Sequence, residues 1–363
     1  MKFRCERDTL AEALVTASRA ATSRTSTLPV LAGLRFDVRS DELTLIGTDL
    51  ELTIRLSVEV GMVTEGSAVV PARLVTDIVR ALPAGTVTVE ANGDDVVISA
   101  GRTQFAVRPF AVDDYPAQAG PDGEPVAIDA ALLMSALRQV VRAASTDEAR
   151  PVLTGVLISA DEEGLWVVAT DGYRLAVRNL GDTGLLTSGQ SVLVPARALT
   201  ELQRLLPAGD QVSVRFGPRS AEFTLGTTHL STRLIDGDFP NYRNLLPSSQ
   251  PNTLTIGREA LLEALRRVRI LAQDTRVVRL SLGGEVVELT VVAQDVGNAS
   301  EAVDARYEGD EMVVGFNPDF LAAGADALDG DEVTVALNDA GKPVVLRGVG
   351  DDDYLYLLMP VRV

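Results

Sequence analysis

Lysine is almost missing from this 363-residue chain: Lys2 and Lys342 are the only two, so the 33 basic residues are nearly all arginine. They stand against 51 acids, a formal charge of -18, which taken as a whole argues against nucleic-acid binding. One cysteine, Cys5, excludes a disulfide framework within the chain and fits a reducing compartment. One histidine, His229, excludes a multi-histidine metal site, and no metal or other cofactor is expected. No apolar run approaches the length of a membrane span, and "MKFRCERDTL" lacks the apolar segment of a signal peptide. A soluble, cytoplasmic protein is therefore expected. What the chain does have is a hydrophobic content of 46%, enough for a sizeable interior, and a length that suggests two or three domains.

It also repeats itself. "VPARLVTDIVRALPAGTVTVE" from Val70 returns as "VPARALTELQRLLPAGDQVSV" from Val194, an offset of 124, and "FNPDFLAAGADALDGDEVTVAL" puts Pro318 another 123 residues past Pro195. "LPVLAGLRF" recurs as "RPVLTGVLI", "GTDLELTIRL" as "ATDGYRLAVR", and "DDYP" as "GDFP". Turn formers in "AGPDGEPV" and "LPSSQPNTL" mark the breaks, which divide the chain into domains at 1–122, 123–250 and 251–363. Each repeat reads as a helix, short strands, a second helix and more strands, an α+β architecture.

Six helices are predicted at 9–24, 71–82, 129–145, 195–206, 258–272 and 318–328. They hold twelve arginines against eight acids, a balance of +4, so the remainder of the chain stands at -22. Arg73, Asp77 and Arg80 share one helical face, Arg197, Glu201 and Arg204 the matching face of the next repeat, and Ser135, Arg138 and Arg142 another. Such a stripe is either a solvated outer face or, because it recurs, a shared ligand-facing surface. The last predicted helix has no base at all.

Enzyme chemistry finds little support. The repeated pairs Thr48-Asp49 and Thr170-Asp171 could supply carboxylates for acid-base work, but Thr and Asp between two strands more often cap a turn. His229 lies in a predicted strand without a partner for a triad and reads as structural. No phosphate-cradling, metalloprotease or nucleophile-elbow motif occurs, so no catalytic residue is assigned.

Two apolar features ask for an explanation. In the segment from Arg258, Ile270 falls among Arg266, Glu259 and Glu263 on the polar side of the wheel. The closing "LLMPVRV" is either a last core strand or apolar surface kept for a partner.

Together "TLPVL", "ATDGYRL", "FPNYRNLLP", "RRVRILAQD", "GFNP", "MPVRV" and the triple repeat resemble the beta sliding clamps of bacterial replicative DNA polymerases, over the whole chain. The resemblance implies three helix-and-sheet domains of the DNA clamp fold, two protomers closing head to tail into a ring, and helices lining a hole that encircles duplex DNA without reading its sequence. It implies a processivity factor, not an enzyme, that tethers the replicative polymerase, the clamp loader and repair proteins through short peptide motifs. Arg24, Arg73, Arg138, Arg142, Arg197 and Arg204 become candidates for the lining, Arg24 by its match to a DNA contact of the family and the others mainly by helix phase. Phe105, Val107, Ile270 and Leu271 become candidates for the dimer interface. A partner-peptide pocket would combine Leu153, Thr170, Gly172, Tyr173, Arg174, Pro240 and Leu245 with a shallower arm of Arg150, Phe320, Pro343, Met359, Pro360, Val361 and Arg362. Asn244 stands where some relatives carry arginine. The alternative is an acidic repeat scaffold for protein interactions that never encircles DNA.

Overall fold

Among the described residues strands outnumber helices, and every strand pairs antiparallel. The computed structural model describes residues 1–22, 28–117, 120–121, 123–206, 211–272 and 277–362. The chain divides into two compact units: Met1–Ala131 with Arg204–Leu234, and Leu132–Gln203 with Ile235–Val363.

The α-helices among the described residues are α1 (Arg7–Ser18), α2 (Ala72–Ala81), α3 (Ala130–Val140), α4 (Ala196–Leu205), α5 (Arg258–Val268) and α6 (Pro318–Ala327). All six coincide with predicted segments, and three are shorter than expected. At the end of α1, Arg19, Ala20 and Ala21 bond three residues back, and the Thr22 amide turns away to the Leu31 carbonyl. The end of α5 tightens in the same way through Ile270, Leu271 and Ala272, while α3 gives way to a 3-10 turn at Val141–Ala143. Apolar residues continue past these helix ends, so the hydrophobic pattern did not mark them. The bases sit as the periodicity requires: α2 buries Ala72, Val75, Ile78 and Val79 and exposes Arg73, Asp77 and Arg80.

In the first unit one sheet orders its five strands 61–64, 2–6, 86–92, 95–100 and 103–107. The other orders eight: 126–129, 211–216, 220–225, 228–233, 52–59, 42–48, 33–39 and 66–71. The second unit carries one twelve-stranded sheet, in which 174–179 pairs with 354–358 and 252–257 with both 332–337 and 297–308. Strands of one repeat thus complete the sheet of the next, 52–59 beside 228–233 and 174–179 beside 354–358. Such pairing covers edges that would otherwise expose a row of backbone donors and acceptors. Among the described residues no helix is long and apolar enough to cross a membrane.

Candidate functional site

The Thr-Asp pairs are turn caps. Between strands 164–170 and 174–179, Thr170 Oγ1 donates to the Arg174 carbonyl at 2.6 Å and accepts the Gly172 amide, while Asp171 Oδ1 accepts the amides of Tyr173 and Arg174 at 2.9 and 3.0 Å. Gly172 holds φ at +92°, which suits a residue without Cβ. Thr48 and Asp49 make the same turn in the first unit, with Leu50 at φ +78° in the glycine's place. Backbone amides occupy these carboxylates, and Arg174 Nε takes the second oxygen of Asp171 at 2.9 Å. The enzyme reading loses its best candidates here.

The capped turn pushes Tyr173 into solvent at 61% exposure, and its carbonyl accepts the Met359 amide at 2.8 Å. The tail therefore divides. Leu357 and Leu358 belong to strand 354–358 and are buried, whereas Met359 emerges at 38% exposure and the Val361 amide bonds to the Gly315 carbonyl. The tail passes from buried strand to exposed chain across one peptide bond. The Arg174 guanidinium lies 4.3 Å from the centre of the Phe320 ring, and Tyr356 Oη donates to the Phe320 carbonyl, so the two arms of the expected pocket are tied together. Burial raises the Tyr356 phenol to about 12, which keeps it a donor at neutral pH. Arg150, exposed beside Asp147, brings Nη1 near the open side of Gly172. Leu153 is half-buried and Thr170 buried, Pro343 precedes the partner strand of Leu358, and Pro360 and Arg362 flank Val361.

Pro240, Asn244 and Leu245 are exposed on the segment that covers the sheet. Three residues missing from the sequence reading hold that segment. Asp161 accepts Trp166 Nε1 at 2.9 Å and pairs with Arg243, whose guanidinium faces the Trp166 and Tyr242 rings at 5.4 and 5.8 Å. Beneath, Phe239, Tyr242 and Leu246 pack on Val168, Leu175, Val177, Val345 and Leu357. Only the adjacency of Arg243 to Asn244 in "NYRNLLP" signalled this.

For the expected interface, Ile270 is 67% exposed, Leu271 half-buried and Phe105 exposed. Val107, at 5% exposure, packs within its own unit, whereas Phe105 on the same strand stays exposed. Both segments lie near open sheet edges. Strand 103–107 is terminal in its sheet, and Gly297–Asp304 pairs with 286–293 on one side only among the described residues. The second edge had no signature beyond alternation. Arg267 clasps Glu301 on it with Nε at 3.0 and 2.9 Å from the two carboxylate oxygens, and reaches Glu263 as well.

The lining candidates differ among themselves. Arg24 lies outside the described residues. Arg73, Arg197 and Arg204 are exposed on α2 and α4, Arg73 within 3.8 Å of Asp77. Arg138 and Arg142 are not simply solvated: Arg138 bonds Asp329 at 2.6 Å, Arg142 pairs with Asp326, and Gln139 adds a bond to Asp329. The helix without bases contributes Asp326 to the neighbouring basic face, and Asp329 follows just past its end. Among the described residues no cluster of three or more His, Cys, Asp or Glu could hold a metal ion.

Sequence profiles of the DNA polymerase III beta subunit match the chain three times: its N-terminal domain at residues 1–119, its central domain at 127–241 and its C-terminal domain at 243–362. A beta sliding clamp from Streptomyces coelicolor is 35% identical over 375 residues, with all of both chains covered. Among solved structures, the DNA polymerase sliding clamp from Bacillus subtilis superposes with a TM-score of 0.92 at 29% identity, covering 100% of this chain and 99% of that one. The sliding clamp from Bartonella birtlesii bound to griselimycin gives 0.94 at 30%, with full coverage of both.

Proposed function

The chain belongs to the DNA polymerase III beta-subunit family, the beta sliding clamps, and from that premise we propose which of its residues do the work. It is a DNA sliding clamp with the three-domain helix-and-sheet clamp fold. Its domains run 1–122, 123–250 and 251–363, and it acts without a catalytic site of its own.

Two protomers close head to tail. The open edge 103–107 of one meets the open edge 297–304 of the other, with Phe105 against Ile270 and Leu271. Arg102 and Arg108 flank the first edge and Asp304 lies on the second, a charge complement that would set register and suppress wrong pairings. Arg73, Arg197, Arg204 and, once released from their acids, Arg138 and Arg142 meet the phosphates of duplex DNA. Contacts to phosphate alone impose no sequence register, so the ring can slide. The acidic remainder repels DNA that is not threaded.

Polymerase, loader and repair partners dock short peptides along Tyr173 and Met359. The observation that carries this reading is the exposure of those two residues, at 61% and 38%, directly above the buried Leu357 and Leu358. A tyrosine and a methionine held by one backbone bond present adaptable apolar surface with little ordering cost. Loading on a closed circular plasmid, with a loader and ATP present, tests the function: protein retained on the circle must leave when the circle is cut once. Equal retention on circular and linear DNA would support the scaffold reading instead.

A further inference from the structure

The two sheets that join successive repeats share one frame but differ in chemistry on one face. In the second unit, cross-strand neighbours Leu175, Leu357 and Val345, with Val177 and Leu355 in the adjoining row, form an apolar layer under the covering segment. In the first unit the same register positions carry Thr53, Ser231 and Glu222, then Arg55 and His229, and the row ends on Arg215. Alternation puts all six on one face, while Ile54, Leu230 and Phe223 between them face the core. A cavity of about 180 Å³ opens among them, with Gly120 also in its lining.

Polar groups at covered positions cost free energy unless they are partnered, and here the partners fall short. Glu222, 8% exposed, receives Ser231 Oγ at 3.2 Å, but its closest approach to Arg215 is 3.7 Å. Arg215 Nε is buried without any hydrogen-bond partner. His229 Nδ1 is engaged by Thr224 Oγ1 at 3.1 Å. The lining sums to one positive charge with His229 neutral and two with it protonated. Its volume is several times that of a water, about 30 Å³, and below the roughly 300 Å³ at which drug-sized pockets begin.

We propose that this cavity is a site for a tetrahedral oxyanion, inorganic phosphate or the phosphoryl group of a phosphomonoester, held between Arg55 and Arg215. The terminal nitrogens of the Arg215 guanidinium supply paired donors and Arg55 closes the outer side, while the Ser231 hydroxyl stays with Glu222 and the Thr53 hydroxyl with Thr48. Glu222 orients Arg215 and prevents two cations from facing each other unscreened in the empty site. Burial and the charge of Arg55 hold the His229 imidazole below its ordinary value, Glu222 opposes them, and Arg215 adds to the depression. A bound anion reverses the sign of that local field, so His229 takes up a proton with it and binding tightens as pH falls.

His229 is the only histidine in the chain, so its ring resonances report on this cavity alone. The full-length protein is titrated with inorganic phosphate, with N-acetyl-phosphoserine methylamide and with chloride, at constant ionic strength. A saturable shift of the His229 resonances by phosphate or the phosphoserine compound, with a rise in its pKa and no matching effect of chloride, is expected. Binding of phosphate alone identifies a free-anion site, and tighter binding of the phosphoserine compound identifies a phosphorylated partner. Arg215→Gln should weaken binding about tenfold or more, the weight of a charge-assisted hydrogen bond. Arg55→Gln, at an exposed position that leaves folding intact, should weaken it as well, and Glu222→Gln should strengthen it. Resonances that respond to all three solutes alike, or phosphate affinity unchanged in both arginine variants, would leave only a water-filled polar cavity and overturn the proposal.

Discussion

Met359 and Tyr173, 186 positions apart in the chain, are joined by one backbone hydrogen bond of 2.8 Å, from the methionine amide to the tyrosine carbonyl. It marks where the last strand leaves the buried core and the chain becomes exposed. Deleting residues 359–363 should remove peptide binding by the clamp while the folded state persists, because Leu357 and Leu358 stay in the sheet. The deletion also loses the Met359 and Val361 amide bonds, so a loss of about 1–3 kcal/mol in unfolding free energy is expected. Titration with a polymerase-derived peptide and urea unfolding measure the two effects. Normal peptide affinity, or an unfolded product, would assign the tail to the core.

Gly172 and Leu50 occupy the same left-handed corner of equivalent turns. Gly172→Ala should cost about 1 kcal/mol from the backbone alone, whereas Leu50→Gly should be neutral or stabilising because it relieves a strained φ. Thermal unfolding of the two variants side by side reads the contrast. Equal destabilisation would mean that packing of Leu50 outweighs its backbone strain.

Replacing both Ile270 and Leu271 by alanine should give a folded monomer, since Ile270 touches little within its own unit at 67% exposure. Sedimentation at micromolar concentration reports it. A dimer of undiminished stability would move the interface elsewhere.

Arg138 and Arg142 call for neutral substitutions, because glutamate at these sites would face Asp329 and Asp326 and add repulsion within the protomer. Arg138→Gln with Arg142→Gln should lower stability by no more than about 1 kcal/mol, the usual weight of exposed pairs. If both arginines reach phosphates, the log-log salt slope of DNA binding should flatten by roughly one for each. An unchanged slope would confine them to the contact with Asp326 and Asp329.

Trp166, the only tryptophan, reports on the segment that carries Asn244 and Leu245. Burial opposes the charge of Asp161, yet bonds from Trp166, the Glu163 amide and Arg243 together hold its carboxyl below the usual range. A folded-state value below the unfolded one means that the stabilisation is present above the unfolded pKa, about 3.9, and is lost as pH falls through the folded value. Trp166 emission should change in that acid window and should not do so in Asp161→Asn. An identical transition in the variant would place the titrating group elsewhere.

The sequence by itself determined what rests on local pattern: three repeats, six amphipathic helices, the Thr-Asp turns and the odd exposure of Ile270. Each is set by residues within a turn or two of one another, through side-chain periodicity and short hydrogen bonds to neighbouring amides. Where apolar residues ran on past a helix, as after Ser18 and Val268, the pattern overshot, because termination was decided by tightened turn bonds that leave no periodicity. Tertiary structure alone decided which surfaces were left over. It paired Arg138 and Arg142 with acids 184 to 191 positions away, buried Val107 and left Gly297–Asp304 open on one edge. It also set Arg215, Glu222 and His229 side by side with Arg55 on one sheet face. Strand register makes such neighbours, and register between distant segments follows from the packing of the whole unit, which no short window of sequence contains.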